Sequence, residues 1–369
     1  MAVTRKIRVL IVDDSLFFRT SLERMLKKDP SIEIIGMAYD ANDAMTKIQK
    51  LRPDVVTLDV EMPKMNGIEF LRKLLPVYRV PVVVVSSAPI QVFDALSAGA
   101  VDFVRKPELK SPSDFSVFAA DLAEKIKAAN GAHVRLNRIP TPAPARSAIQ
   151  AAPAPAPAAP ALTAIRGAVS PFAQGPLGRK DTVIAIGAST GGTEATIAVV
   201  KNLPATTPGI VIVQHMPPVF TNMYAQRLNR ICHMRAVEAT DMERVETGKI
   251  IVGAGDYQMR LMRDGQGYYV TSRPGEKVSG HCPSVDVLFD SVASAAGPNA
   301  LGVILTGMGQ DGANGLLKMR RRGAYTIGQD ESTCVVYGMP AVAFELGAVQ
   351  KQLPVDQITD DIINYLRGL

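Results

Sequence analysis

Short apolar runs alternate with amphipathic helical patterns along most of this 369-residue chain. The alternation occurs about five times between residues 7 and 129, starts again at residue 181 and continues to the C-terminus. Buried strands that alternate with helices are typical of a parallel sheet with helices on both faces. We therefore predict an α/β fold with two such sheets, the second doubly wound and mostly parallel.

An alanine- and proline-rich stretch at 140–176 divides this pattern into two parts. Its composition cannot form a packed core and favours a semi-extended, disordered linker. We predict a first domain at 1–130, a linker at 131–176 and a second domain at 177–369. In the first domain, strands and helices are predicted in turn at 7–12, 15–28, 33–38, 42–51, 55–58, 67–75, 82–85, 89–98, 102–104 and 115–129.

Composition argues against several classes of protein. No apolar run approaches the ~18 residues that a membrane span needs. The basic N-terminus leads into a strand rather than a signal-peptide core. We expect a cytoplasmic protein without membrane insertion. The cysteines Cys232, Cys282 and Cys334 do not have the spacing of a disulfide framework or a zinc site. The net charge of +6 comes without a recognition helix or aromatic-basic module, so nucleic acid is not an expected partner.

Polar residues follow the predicted strands of the first domain. Asp13 and Asp14 follow the first strand, Asp59 the third, Ser86 the fourth and Lys106 the fifth. Because the carboxyl ends of parallel strands meet at one edge, we expect these side chains to converge. Clustered carboxylates favour a bound cation such as Mg²⁺, and one of them could instead attack a phosphoryl donor. The alternative is that each aspartate only caps a helix.

A serine in the second domain lies in a glycine-rich turn. Ser189 occupies the centre of Gly-x-Ser-x-Gly at 187–191, between a predicted strand at 182–186 and a predicted helix at 193–202. The spacing is that of a nucleophile elbow in serine hydrolases. A strand, a glycine turn and a helix also form phosphate or dinucleotide cradles, so the motif alone leaves both interpretations open.

A histidine and an aspartate follow two further predicted strands. His215 comes after the strand at 210–213, and Asp311 lies in the glycine-rich loop after the strand at 300–305. With Ser189 they predict a Ser-His-Asp triad at one sheet edge, in which the histidine takes the serine proton and the aspartate orients it. A buried structural histidine and a helix cap are the alternatives. The order Ser, His, Asp also differs from that of the α/β-hydrolases.

Residues 1 to about 130 resemble a two-component receiver domain, through the polar residues at the strand ends together with Phe103 and Pro107. The resemblance implies a flavodoxin-like fold and a sensor histidine kinase as phosphoryl donor. It implies that Asp59 is phosphorylated, and that Ser86 and Phe103 form the switch pair, beside Lys106. It also implies Mg²⁺ bound by Asp13, Asp14, Asp59 and the Glu61 carbonyl.

Residues 181 to about 367 resemble the catalytic domain of the chemotaxis protein-glutamate methylesterases. The matching stretches are 186–192, 214–216, 283–289 and 305–312. The resemblance implies Ser189 as nucleophile, His215 as base and Asp311 as orienter. It also suggests that the backbone N–H groups near Thr190 and Met308 form an oxyanion hole, and it implies no cofactor in this domain. The implied substrates are methylated glutamates on the cytoplasmic helices of chemoreceptors, with glutamine deamidation by the same chemistry.

Two positions depart from the family pattern. The family often has a histidine where this chain has Gln258, and the segment between Ser86 and Gly99 looks short, so the fourth helix is expected to be reduced. That reduction would alter kinase or interdomain docking. A tethered receiver that packs over the esterase cleft would inhibit it until phosphorylated. A non-enzymatic signalling module and an esterase of a non-chemotactic pathway are the alternative functions.

Overall fold

The computed structural model describes residues 5–87, 89–107, 112–132, 177–179 and 181–369. Nearly all of the predicted linker at 131–176 lies outside the described residues, so its disorder stays a prediction. No helix in the described ranges has the length and apolar character that a membrane crossing requires.

The first domain is a five-stranded sheet with helices between its strands. Each neighbouring pair of strands is parallel. The elements are β1 Ile7–Val12, α1 Leu16–Leu26, β2 Ile32–Ala38, α2 Ala41–Leu51, β3 Val55–Asp59, α3 Gly67–Leu74, β4 Val82–Ser86, α4 Pro89–Ser97, β5 Asp102–Arg105 and α5 Pro112–Ala129. The strand order is β2-β1-β3-β4-β5, which confirms the flavodoxin-like prediction.

The chain order reverses between β1 and β3, which are neighbours in the sheet. Such a reversal opens a crevice at the carboxyl ends of the strands, where ligands bind in this fold. The polar residues predicted at the strand ends therefore lie at one edge of the sheet.

The first three helices begin with a polar capping residue. Ser15, Asp40 and Asn66 each accept a hydrogen bond from a backbone N–H in the following turn.

The second domain is built on seven strands, all paired in parallel. The strands are β6 Val183–Ala188, β7 Ile210–Gln214, β8 Arg235–Glu238, β10 Lys249–Val252, β13 Ala300–Ile304, β14 Tyr325–Gln329 and β15 Lys351–Leu353. The helices are α6 Gly192–Val200, α7 Phe220–Ile231, α8 Val285–Ala295, α9 Ala313–Arg321, α10 Met339–Glu345 and α11 Val355–Arg367. The strand order, β15-β14-β13-β6-β7-β10-β8, confirms a doubly wound sheet.

A small antiparallel sheet interrupts the parallel pattern, and the sequence did not predict it. It contains β9 Glu243–Arg244, β11 Tyr257–Asp264 and β12 Gly267–Pro274. The strands β11 and β12 pair along their whole length, and a two-residue turn joins Asp264 to Gly267. After β12, the loop at 275–284 leads directly into α8. This hairpin therefore carries a segment back towards the carboxyl edge of the large sheet.

Helices and a strand of the first domain pack directly against the second domain. The rings of Phe93 in α4 and Tyr224 in α7 stack with centroids 5.9 Å apart, and Phe103 in β5 lies 4.6 Å from Phe220. The Arg227 guanidinium donates to Ser97 Oγ at 2.6 Å. The helix α4, expected to be reduced, has nine residues and forms part of this interface.

Candidate functional site

The predicted triad residues follow three adjacent strands. In the register of the sheet, Ala188 pairs with Gln214 on one side of β6, and Gly187 pairs with Ile304 on the other. Ser189 and His215 therefore leave the sheet side by side, and the loop at 305–312 leaves it next to them. The Gln214 amide holds this arrangement, donating to the Ser189 carbonyl at 2.8 Å and to the His215 carbonyl at 3.3 Å.

Close backbone approach at this edge requires glycine. A Cβ on Gly307 would lie 2.7 Å from the Ser189 Cβ, so a larger residue would displace the serine. Gly191 has a φ of +75°, a left-handed conformation that glycine adopts without strain. The glycines that made the sequence ambiguous therefore bring the Ser189 turn and the loop of Met308 into contact.

The imidazole of His215 is tied to one carboxylate. Its Nε2 lies 2.8 Å from Asp311 Oδ2, and both side chains are buried, with exposed fractions of 7% and 2%. Because a carboxylate accepts, Nε2 carries the proton in the neutral ring. The other nitrogen, Nδ1, is buried and has no hydrogen-bond partner among the described residues. The ring therefore presents Nδ1 as its basic nitrogen.

The Asp311 carboxylate sits at the N-terminus of α8. It accepts hydrogen bonds from Ser284 Oγ at 2.8 Å, Val285 N at 2.8 Å and Asp286 N at 3.0 Å. Burial acts to raise the pKa of Asp311, but the bonds from His215, Asp286 and Ser284 outweigh it and leave that pKa below its usual range. Asp311 is therefore ionised at neutral pH, and it does not cap its own helix, as the alternative interpretation had it, since Gly312 is the N-cap of α9.

Thr190 and Met308 line the same cleft as Ser189 and His215. Neither the Thr190 nor the Met308 backbone N–H donates to another group in the part of the chain that the structure describes. Two unpaired donors beside a serine suit an oxyanion. The geometry thus brings together all five residues that the sequence predicted for this site.

The first domain forms one wall of this cleft, whose volume is about 850 Å³. Val117, Phe118 and Asp121 of α5 line it together with Ser189. At its edge, Thr190 Oγ1 donates to Asp102 Oδ2 at 2.5 Å. The docked first domain therefore restricts access to Ser189.

The predicted metal and phosphorylation residues also converge. Carboxylate oxygens of Asp13, Asp14 and Asp59 lie within 4.8 Å of one another. The Lys106 ammonium contacts Asp13 at 2.7 Å and Asp59 at 2.6 Å. Burial raises the pKa of Asp59 to about 6, although Lys106 opposes the rise. Three oxygen donors, two of them buried, fit a hard divalent cation such as Mg²⁺.

The predicted switch residues lie on the path from this cluster to the second domain. Ser86, fully buried, ends β4, and its carbonyl accepts from the Lys106 backbone N–H at 3.0 Å. Phe103 is buried in β5 against Phe220 of the second domain. A movement of Phe103 would therefore alter the contact between the domains.

Glu61, the remaining residue predicted for the metal site, lies beside Asp59, whose Oδ1 accepts a hydrogen bond from the Glu61 N–H at 3.0 Å.

Comparison with known proteins agrees with this two-part arrangement. A family model described as CheB methylesterase matches residues 184–362, and one described as a response regulator receiver domain matches residues 9–112. A protein-glutamate methylesterase/protein-glutamine glutaminase 2 of Syntrophomonas wolfei is 51% identical, with 99% of each chain covered. The chain belongs to the CheB methylesterase family.

A second full-length relative and a solved catalytic domain are similar to this CheB family member. A protein-glutamate methylesterase/protein-glutamine glutaminase of Agrobacterium fabrum is 48% identical, covering 96% of this chain and 95% of its own length. The crystal structure of the Thermotoga maritima CheB methylesterase catalytic domain is 35% identical with a TM-score of 0.49, covering 50% of this chain and 98% of that one. The two family models and the full-length relatives confirm both the resemblance to a receiver domain and that to a methylesterase.

Two residues of this CheB family member, one in the cleft and one buried behind it, were not predicted as site residues. The His281 ring stacks on the His215 ring, with centroids 3.6 Å apart and planes inclined by 12°. Gln258, noted only as a departure, accepts from the Ser284 N–H at 3.0 Å and donates to the His281 carbonyl at 3.2 Å. The one signal for His281 was its position two residues before Pro283-Ser284, at the start of a stretch that matches the family.

Proposed function

We propose that this chain is a phosphorylation-activated protein-glutamate methylesterase that hydrolyses γ-methyl esters of chemoreceptor glutamates and deamidates specific receptor glutamines. The names of its full-length relatives support this activity. The observation that carries the chemistry is the His215–Asp311 pair in the cleft of Ser189, which leaves Nδ1 of His215 without a partner among the residues that the structure describes.

Ser189 is the proposed nucleophile. His215 Nδ1 takes the proton of the Ser189 hydroxyl as its oxygen attacks the ester carbonyl, and a tetrahedral oxyanion forms. The oxyanion collapses to an acyl-enzyme, while the imidazolium returns the proton to the departing methanol. Water then attacks the acyl-enzyme with His215 again as base, which restores the glutamate carboxylate. Glutamine follows the same steps, with ammonia as the leaving group.

Asp311 and two backbone groups support the charges that develop. The ionised Asp311 holds the proton on Nε2 of His215 and stabilises the imidazolium, while the N-terminus of α8 keeps Asp311 charged. The N–H groups of Thr190 and Met308 would donate to the oxyanion. Because such donors are fixed by the fold before the reaction, they stabilise the transition state more strongly than water does.

Control is assigned to the first domain. We propose Asp59 as the phosphorylated residue, with Mg²⁺ held by Asp13, Asp14, Asp59 and the Glu61 carbonyl. The cation would neutralise charge on the transferred phosphoryl group. Lys106 already contacts Asp59 and would pair with the phosphoryl group. A sensor histidine kinase is the proposed donor.

Release of the cleft is the proposed consequence of phosphorylation. Ser86 and Phe103 act as the switch pair, and the Phe103 ring is an interdomain contact. A rearranged Phe103 would weaken the packing that keeps α5 over Ser189. Domain boundaries at 130 and 177 fit a tether that lets the receiver move. Reaction on receptor cytoplasmic helices would place the enzyme in the cytoplasm.

Methanol release from methyl-esterified receptor membranes tests the proposal. The intact chain is assayed with Mg²⁺ and a small phosphoryl donor, beside Ser189→Ala and, as a matched control, Ser294→Ala on the exposed face of α8. We expect donor-stimulated release that Ser189→Ala abolishes and Ser294→Ala retains. Equal release by Ser189→Ala and the unaltered chain would refute the proposed nucleophile. Absence of any release would favour a non-enzymatic output domain or a different pathway.

A further inference from the structure

His281 is presented by a tight hairpin between β12 and α8. Val278 and His281 exchange backbone hydrogen bonds of 3.0 and 2.9 Å. The two residues between them, Ser279 and Gly280, have φ values of +53° and +85°, which suit a two-residue turn. The backbone of His281 is therefore held on one side by this turn.

Gln258 holds the same backbone from the other side. Its amide nitrogen donates to the His281 carbonyl at 3.2 Å and to the Glu276 carbonyl at 2.9 Å. Its amide oxygen accepts from the Ser284 N–H, and Ser284 Oγ donates in turn to Asp311. Gln258 thus connects the position of His281 to the position of the carboxylate that orients His215.

The His281 ring covers one face of His215 and leaves its edge to Asp311. The two rings are nearly parallel, inclined by 12°, with centroids 3.6 Å apart. A hydrogen bond at Nε2 alone leaves an imidazole able to tilt about that bond, which would move Nδ1. A flat neighbour at van der Waals distance removes this freedom, because tilting would bring the rings into overlap.

The surroundings keep His281 uncharged. Burial first, and then the positive charge of His215, Lys125 and Lys277, lower the pKa of His281 to about 4 against the opposing effect of Asp311. A neutral aromatic face attracts a cation, whereas a second imidazolium would repel one. His281 can therefore remain against His215 while His215 is protonated during the reaction.

We propose that His281 is a positioning residue for the esterase, and that its neutral ring, anchored by Gln258, holds the plane of His215 and so fixes the position of Nδ1 in the cleft of Ser189. The inference rests on the proposed function and assigns a further part of the same site. It requires flatness and neutrality at position 281, and neither proton transfer nor hydrogen bonding by that ring. This requirement separates it from a catalytic role.

Substitution at position 281 in the intact chain tests these requirements. Methanol release is measured with Mg²⁺ and the phosphoryl donor for His281→Phe and His281→Ala. We expect Ala to lower kcat by about 10- to 100-fold, the loss typical of a misplaced catalytic group, with a smaller change in KM. Phe, flat and neutral, should recover most of kcat. Phe no better than Ala, or Ala equal to the unaltered chain, would overturn the proposal.

Gln258 offers a second test. Gln258→Met loses both the acceptor for the Ser284 N–H and the donor to the His281 carbonyl. Gln258→Glu keeps the acceptor but sets a carboxylate oxygen against the His281 and Glu276 carbonyl oxygens. We expect both variants to lower kcat. Full activity in both would show that His281 is held without Gln258, which contradicts the anchoring part. Thermal unfolding of each variant reports whether the fold persists.

Nitrogen NMR of the histidine rings makes the test independent of methyl ester turnover. The chain has four histidines, so few ring signals need assignment. We expect Nε2-protonated His215 in all variants, because Asp311 sets the tautomer. The His215 ring signals should be narrow in the unaltered chain and in His281→Phe, and broadened in His281→Ala, where the ring tilts about its bond to Asp311. Equally narrow His215 signals in the Ala variant overturn the positioning role. Activity that persists in Ser189→Ala would instead refute the proposed function, so the two failures are distinguishable.

Discussion

Thr190 Oγ1 in the second domain donates a hydrogen bond of 2.5 Å to Asp102 Oδ2 in the first. Thr190 directly follows Ser189, and Asp102 directly precedes Phe103. Lys125 holds the other carboxylate oxygen of Asp102 at 2.9 Å. One buried hydrogen bond therefore joins the neighbour of the proposed nucleophile to the neighbour of the proposed switch residue. Any shift of β5 on phosphorylation would act directly on the turn that holds Ser189.

Loss of this bond should raise activity in the absence of phosphorylation. A hydrogen bond to a charged group contributes ~1.5–3 kcal/mol, enough to change the ratio of docked to released receiver by tenfold or more. We expect Asp102→Ala to raise basal methanol release by about 3- to 10-fold. The rate should rise with the fraction of molecules in which the receiver has left the cleft. The phosphorylated rate should change little, because the receiver is then already displaced.

A second interdomain hydrogen bond provides the comparison for that variant. Ser97→Ala removes the acceptor of Arg227 at the C-terminal end of α4. It should raise basal release less than Asp102→Ala, and the double variant should exceed both. A basal rate unchanged in Asp102→Ala and in the double variant would contradict inhibition by docking.

Asp311→Asn should nearly abolish turnover while the fold persists. The amide can present its NH₂ to Nε2 of His215 and so favours the wrong tautomer, in which Nδ1 is protonated and cannot accept from Ser189. By analogy with other triads, the rate should fall by ~10⁴-fold. Methanol release measures this loss. Asp286→Asn on the same helix is the control, since its carboxylate contacts the Gly315 N–H instead of His215. A loss below tenfold in Asp311→Asn would argue against the orienting role.

Much of the fold was predictable because its local patterns are unambiguous. Strands such as β4, a run of valines, are buried on both faces, and helices such as α2 begin at a capping aspartate, Asp40. The strand ends then placed Asp59 and Ser189 at the correct edges, since parallel strands share one carboxyl edge. Site residues that follow strands are therefore readable from the sequence.

The remaining features depend on contacts between distant segments. The hairpin of β11 and β12 escaped prediction because it departs from the α/β alternation, and its alternating burial resembles that of a surface strand. The stacking of His281 on His215 brings together residues 66 positions apart through that hairpin. The hydrogen bond from Thr190 to Asp102 joins the two domains. Periodicity carries no information about such contacts.

Gly187→Ala should destabilise the second domain and impair the site. A Cβ there would overlap the Val285 side chain and approach Phe289. Overpacking of this kind costs ~1–3 kcal/mol, and it would push away the start of α8, which donates to Asp311. We expect a lower midpoint of thermal unfolding together with reduced methanol release. Gly265→Ala, whose Cβ would meet no atom of the described residues within 4 Å, is the matched control and should change neither.

Chelation of Mg²⁺ should remove the stimulation of methanol release by the phosphoryl donor and leave the unstimulated reaction nearly unchanged. The oxygen cluster of Asp13, Asp14 and Asp59 lies in the first domain, whereas the Ser189 cleft relies on backbone N–H groups. With EDTA, we expect the phosphoryl donor to stop raising methanol release while the unstimulated rate stays within about twofold, because no metal takes part in the proposed ester hydrolysis. Asp14→Asn should likewise reduce the Mg²⁺-dependent stimulation of methanol release by the phosphoryl donor. A basal rate that vanishes with EDTA would contradict this separation.

The stability of the second domain should depend on pH through His281. Its pKa falls from 6.5 to about 4 on folding, chiefly because burial disfavours the charged ring. Between pH 6.5 and about 4 the ring of His281 is protonated in the unfolded chain but not in the folded chain. The contribution of His281 to the free energy of unfolding is therefore fully present above pH 6.5 and is lost as the pH falls towards 4. The thermal midpoint should therefore decline over this interval. His281→Phe cannot bind a proton, and its midpoint should decline less over the same interval. Parallel curves for the two proteins would show that His281 is not the group responsible.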